Sequence, residues 1–387
     1  MKKNWIWIGV IGIVAIVFIS YLFLNNRQTP AGTLSKETVS PDLEQKTEAI
    51  LYFSTTADQD MNRDGLSFAV FIDSAGKTDL LKMNGLELGS VYASDDTLFM
   101  EDRNKVFLLN PDGMETFDME TEEHTGEVTG YQDGLFYSVN NSGFTEDGGY
   151  QSNIRVGNQD GFDTIHVPYY LHMSGIADGE LFMVTGEPED ISLQRMPLEK
   201  EVDIEKVASL GELGERLGLS SILKNNGKFY LLMSDTEKLT AAIYEVDEQT
   251  GDSKAVPFLT YSDADDYRLR IPFNLRNASS IHDGIFYYVD GLGEVHRFNT
   301  KTGEAEPSFQ IEGIEENSPY MAEQTFFKEG DLYVFRYDAP SESHVIDTYD
   351  LSTGKRTKEQ HVSGLEEMYQ LVKKKGKRVA AYDFFVR

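Results

Sequence analysis

The sequence predicts an all-β protein, a β-propeller of seven four-stranded blades, and three observations carry the prediction. First, a short phrase recurs: Asp or Asn, then Gly, then strand residues that include an aromatic. It appears at Asp133-Gly134, Asp178-Gly179, Asn226-Gly227 and Asp283-Gly284, and with Glu in first place at Glu329-Gly330. Second, the glycines of these copies are 45, 48, 57 and 46 residues apart, close to the roughly 40–50 residues of a four-stranded blade. Third, a strand ending in Asp or Asn and turning through a Gly loop follows most copies, as in Ile243–Asp247 before Gly251, Val295–Asn299 before Gly303 and Ile346–Asp350 before Gly354.

Each unit then reads as turn, strand, loop, strand, Gly turn, strand. Asp-Gly and Asn-Gly supply the positive φ that a two-residue hairpin turn needs. The residues that follow, such as Leu135-Phe136-Tyr137 and Ile285-Phe286-Tyr287-Tyr288-Val289, have the aromatic and β-branched character of buried strands. Asp95-Asp96 starts a variant copy 38 residues before Gly134, counted from Asp96. The 57-residue step holds Tyr261–Tyr267, read as an inserted loop.

The two ends of the chain complete the ring. One further step of 46 from Gly330 reaches Gly376, and only one strand, around Arg378–Phe385, remains. Ile50–Ser54 and Leu66–Asp73 are strands that precede the first full repeat. They are expected to share a blade with the C-terminal strand, which removes sheet edges that invite aggregation. Six internal blades and one shared blade make seven; eight result if residues 50–90 form a blade of their own.

Ahead of the propeller, Trp5 to Leu24 runs almost without a polar side chain. Twenty helical residues span a hydrocarbon layer of about 30 Å. Lys2 and Lys3 precede the run, Trp5 and Trp7 stand at one end and Tyr21 near the other, the arrangement of a membrane anchor with its N-terminus in the cytoplasm. The run is longer than a signal-peptide core and Ile19-Ser20-Tyr21 is a poor cleavage site. The expected organisation is a cytoplasmic tail over 1–4, a transmembrane helix over 5–24, a flexible tether over 25–48 and the propeller over 49–387, outside the cytoplasm. A short helix from Pro41 onward is the alternative for the last tether residues.

Composition narrows the functions. The net charge is −30, which repels phosphate backbones, so no nucleic-acid partner is expected. Without cysteine there is no disulfide, no thiolate metal site and no cysteine nucleophile. The seven histidines are scattered, with no one-turn pair of a zinc site. No G-x-S-x-G elbow and no Gly-rich phosphate loop occurs. The basic run Lys373–Arg378 reads as a solvated hairpin before the last strand.

One loop carries a candidate metal site. In Asp58-Gln59-Asp60-Met61-Asn62-Arg63-Asp64-Gly65 the side chains of Asp58, Asp60, Asn62 and Asp64 alternate, as in the first half of a calcium loop, with Gly65 expected to permit the sharp turn. The twelfth position from Asp60 is Phe71 and not Glu, so a bidentate ligand has to come from elsewhere. The competing reading is an acidic hairpin without an ion.

The strand–Asp/Asn–Thr-Gly-Glu/Lys style of the repeats resembles bacterial propellers of the quinoprotein-like and TolB-like groups over about residues 50–387, and the Asp58–Gly65 loop resembles acidic loops of TolB-like blades. The folded part has no tryptophan, so it lacks the tryptophan docking motif of quinone enzymes, and no quinone cofactor is expected. The leading functional expectation is a membrane-tethered propeller that binds an envelope protein, a peptide or a wall-derived ligand. The alternative is a propeller enzyme, a lactonase, lyase or hydrolase, with its site at the channel mouth.

Overall fold

A computed structural model describes residues 33–34, 39–40, 42–94, 96–187, 189–198, 202–314 and 323–387. The expected anchor, Trp5–Leu24, lies outside the described residues, as does Asp95. Among the described residues no helix is long and apolar enough to cross a membrane.

Seven antiparallel sheets follow one another along the chain. Blade 1 is the shared one. Its innermost strand is the C-terminal Ala380–Val386, followed outward by Thr47–Ser54, Leu66–Asp73 and Thr78–Asn84, with Thr33–Leu34 parallel on the outer edge. Ile50 faces Phe385 and Leu51 faces Phe384 across the closing pair. Blade 2 runs over Val91–Asp118, blade 3 over Thr125–Val167, blade 4 over Met173–Gly211, blade 5 over Arg216–Thr260, blade 6 over Ser279–Gln310 and blade 7 over Gln324–Val362. The inner strand of blade 5 is split into Arg216–Gly218 and Leu223–Asn225, both paired to Lys228–Asp235. The count of seven, with one blade made from both chain ends, is the arrangement the repeat spacing implied.

The turns obey the predicted chemistry. At 133–134, 178–179, 226–227, 283–284 and 329–330 both central residues have positive φ. Even Glu329 takes φ 51°, a conformation that costs a non-glycine residue energy, because the hairpin twist of its neighbours demands it.

The antiparallel order fixes two faces. The turns from first to second strand and from third to fourth lie on one face, called lower here. The loops from second to third strand and the connections between blades lie on the other, upper face.

Two segments depart from the sequence reading. The insertion at Tyr261–Tyr267 carries a helix, α2 (Ala264–Leu269), after the short α1 (Leu43–Lys46). Asp263 caps α2 by accepting from the N–H groups of Asp265 and Asp266. The basic run is not a hairpin: Lys373 and Lys374 end α3 (Glu366–Lys374), where cations suit the helix dipole. That helix buries Met368 and Val372 against blades 7 and 1. The expected tether also contributes structure, since Leu43 in α1 is buried against blade 1.

The core is divided among the seams between blades, one apolar cluster to each. The seam between blades 7 and 1 is the richest, with Phe53, Phe68, Phe335 and Phe384 fully buried. The seam between blades 2 and 3 holds only Phe99, Val106, Leu108 and Phe136 as buried apolar members. Arg155 fills the rest. Its guanidinium lies 3.1 Å from Glu101, donates to the carbonyl oxygens of Asp102 and Arg103, and has no solvent exposure. Ser90 and Ser138 donate to the same Glu101 carboxylate.

Candidate functional site

The upper face collects most of what could act on another molecule. The candidate calcium loop lies there, between Thr47–Ser54 and Leu66–Asp73. Its first residues, Ala57–Asp60, form a 3-10 turn. Asp60 accepts from Arg103 of blade 2 and from the Gly65 N–H. Asp64 is 2.7 Å from Lys377 Nζ, and Lys377 also donates to the Gln59 carbonyl. Asp58 accepts from the Thr56 hydroxyl. Asn62 is exposed, and Phe71 is buried in its strand. Two of the three carboxylates therefore already face a protein cation, which holds the Asp64 carboxyl below its ordinary value.

Gly65 serves a different purpose from the one its place suggests. The positive φ of the loop is at Arg63, 59°. A Cβ on Gly65 would stand 2.4 Å from the Asp60 carboxyl carbon, so the glycine is needed for close approach.

A second acidic group lies on the same face in blade 6. Asp290, Glu294 and His296 each offer one atom within 4.8 Å of the others. Arg270, just after α2, occupies this group, with Nη1 2.5 Å from Asp290 and 3.0 Å from Glu294. His296 Nε2 is 3.0 Å from Asp290, and its ring stacks on Tyr288. The sequence hid this cluster because Arg270 enters from the insertion, twenty residues from Asp290. In both groups protein cations already meet carboxylates, Arg103 and Lys377 in the loop and Arg270 in blade 6.

The upper end of the central channel is crossed by one side chain. Arg276 leaves the connection between blades 5 and 6 and crosses to the opposite side of the ring. It donates to the carbonyls of Leu88 and Glu127 at 2.7 and 3.0 Å and lies 3.2 Å from Asp383 of the innermost C-terminal strand. Asn277 donates to the same Asp383. Burial pushes the Asp383 carboxyl up, and Arg276 pulls it back. Beside this crossing burial lifts the Glu127 carboxyl to about 7, against the hydrogen bond from Asn141 and the charge of Arg276.

Most of the exposed large apolar side chains share this upper face. Among the described residues ten large hydrophobic side chains are exposed, and eight of them lie on the upper face: Met61, Phe144, Tyr169, Tyr170, Leu217, Leu269, Ile271 and Leu275. Phe144 is 83% exposed at the tip of the long hairpin of blade 3. Phe144, Tyr150, Tyr170 and His172 form an edge-to-face row with centroids 5.1 to 5.2 Å apart. The other two exposed residues, Tyr131 and Val202, are on the lower face.

Residues 42–387 match the family model of the YycP β-propeller domain. The chain is 28% identical to the uncharacterized protein YycP of Bacillus subtilis (strain 168) over 381 residues, 95% of each chain. Among solved structures, a functionally unknown protein from Desulfotomaculum acetoxidans DSM 771 superposes with a TM-score of 0.50 at 10% identity, over 86% of this chain and 99% of that one. BamB from Moraxella catarrhalis gives 0.45 at 12% identity, over 70% and 75%. Likeness at these identities concerns the fold.

Proposed function

The chain belongs to the YycP β-propeller family, and from that premise we propose that it is a membrane-tethered binding module outside the cytoplasm, docking a polypeptide partner on its upper face. One observation carries this reading: among the described residues, eight of the ten exposed large hydrophobics lie on that face. Exposed apolar residues divided evenly between the two faces need no explanation, whereas a set confined largely to one face supports an interaction surface there. Tyr169, Tyr170 and Phe144 suit the role, since aromatic side chains anchor interfaces by large contact area.

The run Trp5–Leu24 supports the tether. The chain enters blade 1 at Thr33–Leu34 on its outer edge, and α1 sits on the lower side. A tether attached there leaves the upper face directed away from the membrane. The loop cations Arg103 and Lys377 fit a rigid, pre-organised platform better than a metal-dependent one.

Site-specific photo-crosslinking tests the proposal. A crosslinker at Phe144 or Tyr170 of the full chain in its native membrane should capture one discrete partner. The same crosslinker at Val202, also exposed but on the lower face, should not. Equal capture from both faces, or none from Phe144 and Tyr170, would sink the reading.

A further inference from the structure

The lower mouth of the central channel holds an aromatic-lined cup. The channel's upper end is crossed by Arg276 and Asp383, but its lower end is open, and a cavity of about 700 Å³ begins there. The walls come from the lower ends of the innermost strands of four blades: Tyr92 of blade 2, Tyr131 of blade 3, Phe326 of blade 7 and Phe385 of blade 1. Phe385 has its centroid 4.7 Å from those of both Tyr92 and Phe326, at tilts of 53° and 51°, so three rings form a continuous tilted wall. Tyr131 is 40% exposed, and the other three are half-buried. One side of each ring packs on a blade seam, Tyr131 on Phe136 and Phe326 on Phe384 among them, and the other side lines the cup.

The rim is polar. Arg387 is committed to Glu44 of α1, and Asp96 accepts from Thr97. Lys328, at the end of the innermost strand of blade 7, lines the same cavity. Among the described residues no carboxylate forms an ion pair with it, in a chain with 65 acidic and 35 basic residues. A concave aromatic surface with a few placed polar groups and a volume between roughly 300 and 1,000 Å³ is the usual form of a small-molecule site.

We propose that the lower channel mouth binds a small planar aromatic molecule carrying one anionic group, its ring against Tyr92, Phe326 and Phe385 and its anion at Lys328. The site is independent of the upper docking face. A small molecule fits better than a protein surface, because the rings lie on the innermost strands, inside the circle of hairpin turns. The ring gains apolar burial and tilted stacking, and the lysine selects the sign of the charge.

Naphthalene-2-sulfonate is a suitable probe, titrated calorimetrically into the purified full-length chain, with 2-naphthylmethylammonium as the control of opposite charge. The sulfonate should bind once per chain and more tightly than the ammonium. Tyr131→Ser, at a position exposed enough to tolerate it, and Phe326→Ala should each weaken it by about tenfold. Lys328→Gln should weaken it by about fivefold and remove the preference over the ammonium. Phe144→Ser, on the upper face, should leave it unchanged. Absence of saturable one-to-one binding would overturn the proposal. So would binding that Tyr131→Ser and Phe326→Ala both leave intact, with thermal melting showing each variant folded.

Discussion

The seam between blades 7 and 1 and the seam between blades 2 and 3 solve the same packing problem in opposite ways. The first is apolar and joins the two ends of the chain, with Phe53, Phe335 and Phe384 packed beside Met368 of α3. The second buries an ion pair, Arg155 with Glu101, where its neighbours bury leucine and valine. Apolar burial contributes stability in proportion to area. A buried ion pair contributes little net energy, yet losing one partner is expensive. The closing seam thus supplies strength where the ring has a gap in its backbone. The polar seam supplies a single geometry, because Arg155 must satisfy Glu101 and two carbonyls at once.

The sharpest way to break this contrast is to remove Val379 to Arg387. That opens the closing seam and leaves Thr47–Ser54 as a bare edge. The truncated protein should aggregate or lose its cooperative thermal transition, and an unchanged transition would show that the ring does not depend on the shared blade.

Next in size is Arg155→Met. It strands Glu101 in a site with no solvent access and should cost about 3–5 kcal/mol in chemical denaturation. Combining it with Glu101→Leu should recover part of that loss. A single substitution that is neutral would mean that the seam does not need its charge.

The apolar seam has its own sensitivity, to acid. His344 lies between Phe335 and Tyr369, with ring centroids at 5.3 and 5.8 Å, and burial lowers its pKa to about 4. The unfolded chain binds this proton near pH 6.5, so the stability that the neutral ring contributes is complete above that pH. It is lost as the pH falls through 4, to a total of about 3 kcal/mol at pH 4. His344→Phe should flatten this part of the pH profile. A variant whose acid limb matches the wild type would refute the assignment.

The loop Asp58–Gly65 is fastened toward both seams, by Asp60 to Arg103 and by Asp64 to Lys377. Arg103→Ala leaves a mostly buried Asp60 without its cation and should destabilise by roughly 2–3 kcal/mol. Calcium distinguishes the readings of this loop at the smallest scale. An ion saturating it at a hundredfold excess over Kd would raise the melting temperature on the order of 2 °C. With Arg103 and Lys377 in place we expect the same melting temperature in calcium and in chelator. A calcium-dependent rise, absent in Asp60→Ala with Asp64→Ala, would show that an ion displaces the two side chains.

What the sequence disclosed follows from the range of each interaction. The hairpin turns are local, so Asp133-Gly134 and its counterparts announced themselves, and their spacing counted the blades. The shared blade was legible because a lone strand at one end matched missing strands at the other. The helices α2 and α3 were not. Ala264–Leu269 is short, and the apolar face of α3 shows only when Met368 and Val372 meet blades 7 and 1. The alternating oxygens of Asp58–Asp64 were visible, but the cations that meet them come from positions 103 and 377. The channel cup joins residues 92, 131, 326 and 385. Its one trace in sequence is an aromatic three or four residues before a turn glycine, Tyr131 before Gly134 and Phe326 before Gly330.

The pairing of the C-terminal strand with Thr47–Ser54 has a mechanical consequence. Arg387 N–H donates to the Glu48 carbonyl at 2.9 Å, so the last residue meets the start of Thr47–Ser54 beside the lower face. A pull applied at Thr47 loads Thr47–Ser54, a strand held on one side by Leu66–Asp73 and on the other by Ala380–Val386. The pull runs along that strand and loads both ladders in shear, many hydrogen bonds at once, instead of unzipping them singly. A ring closed this way resists being pulled open along that strand.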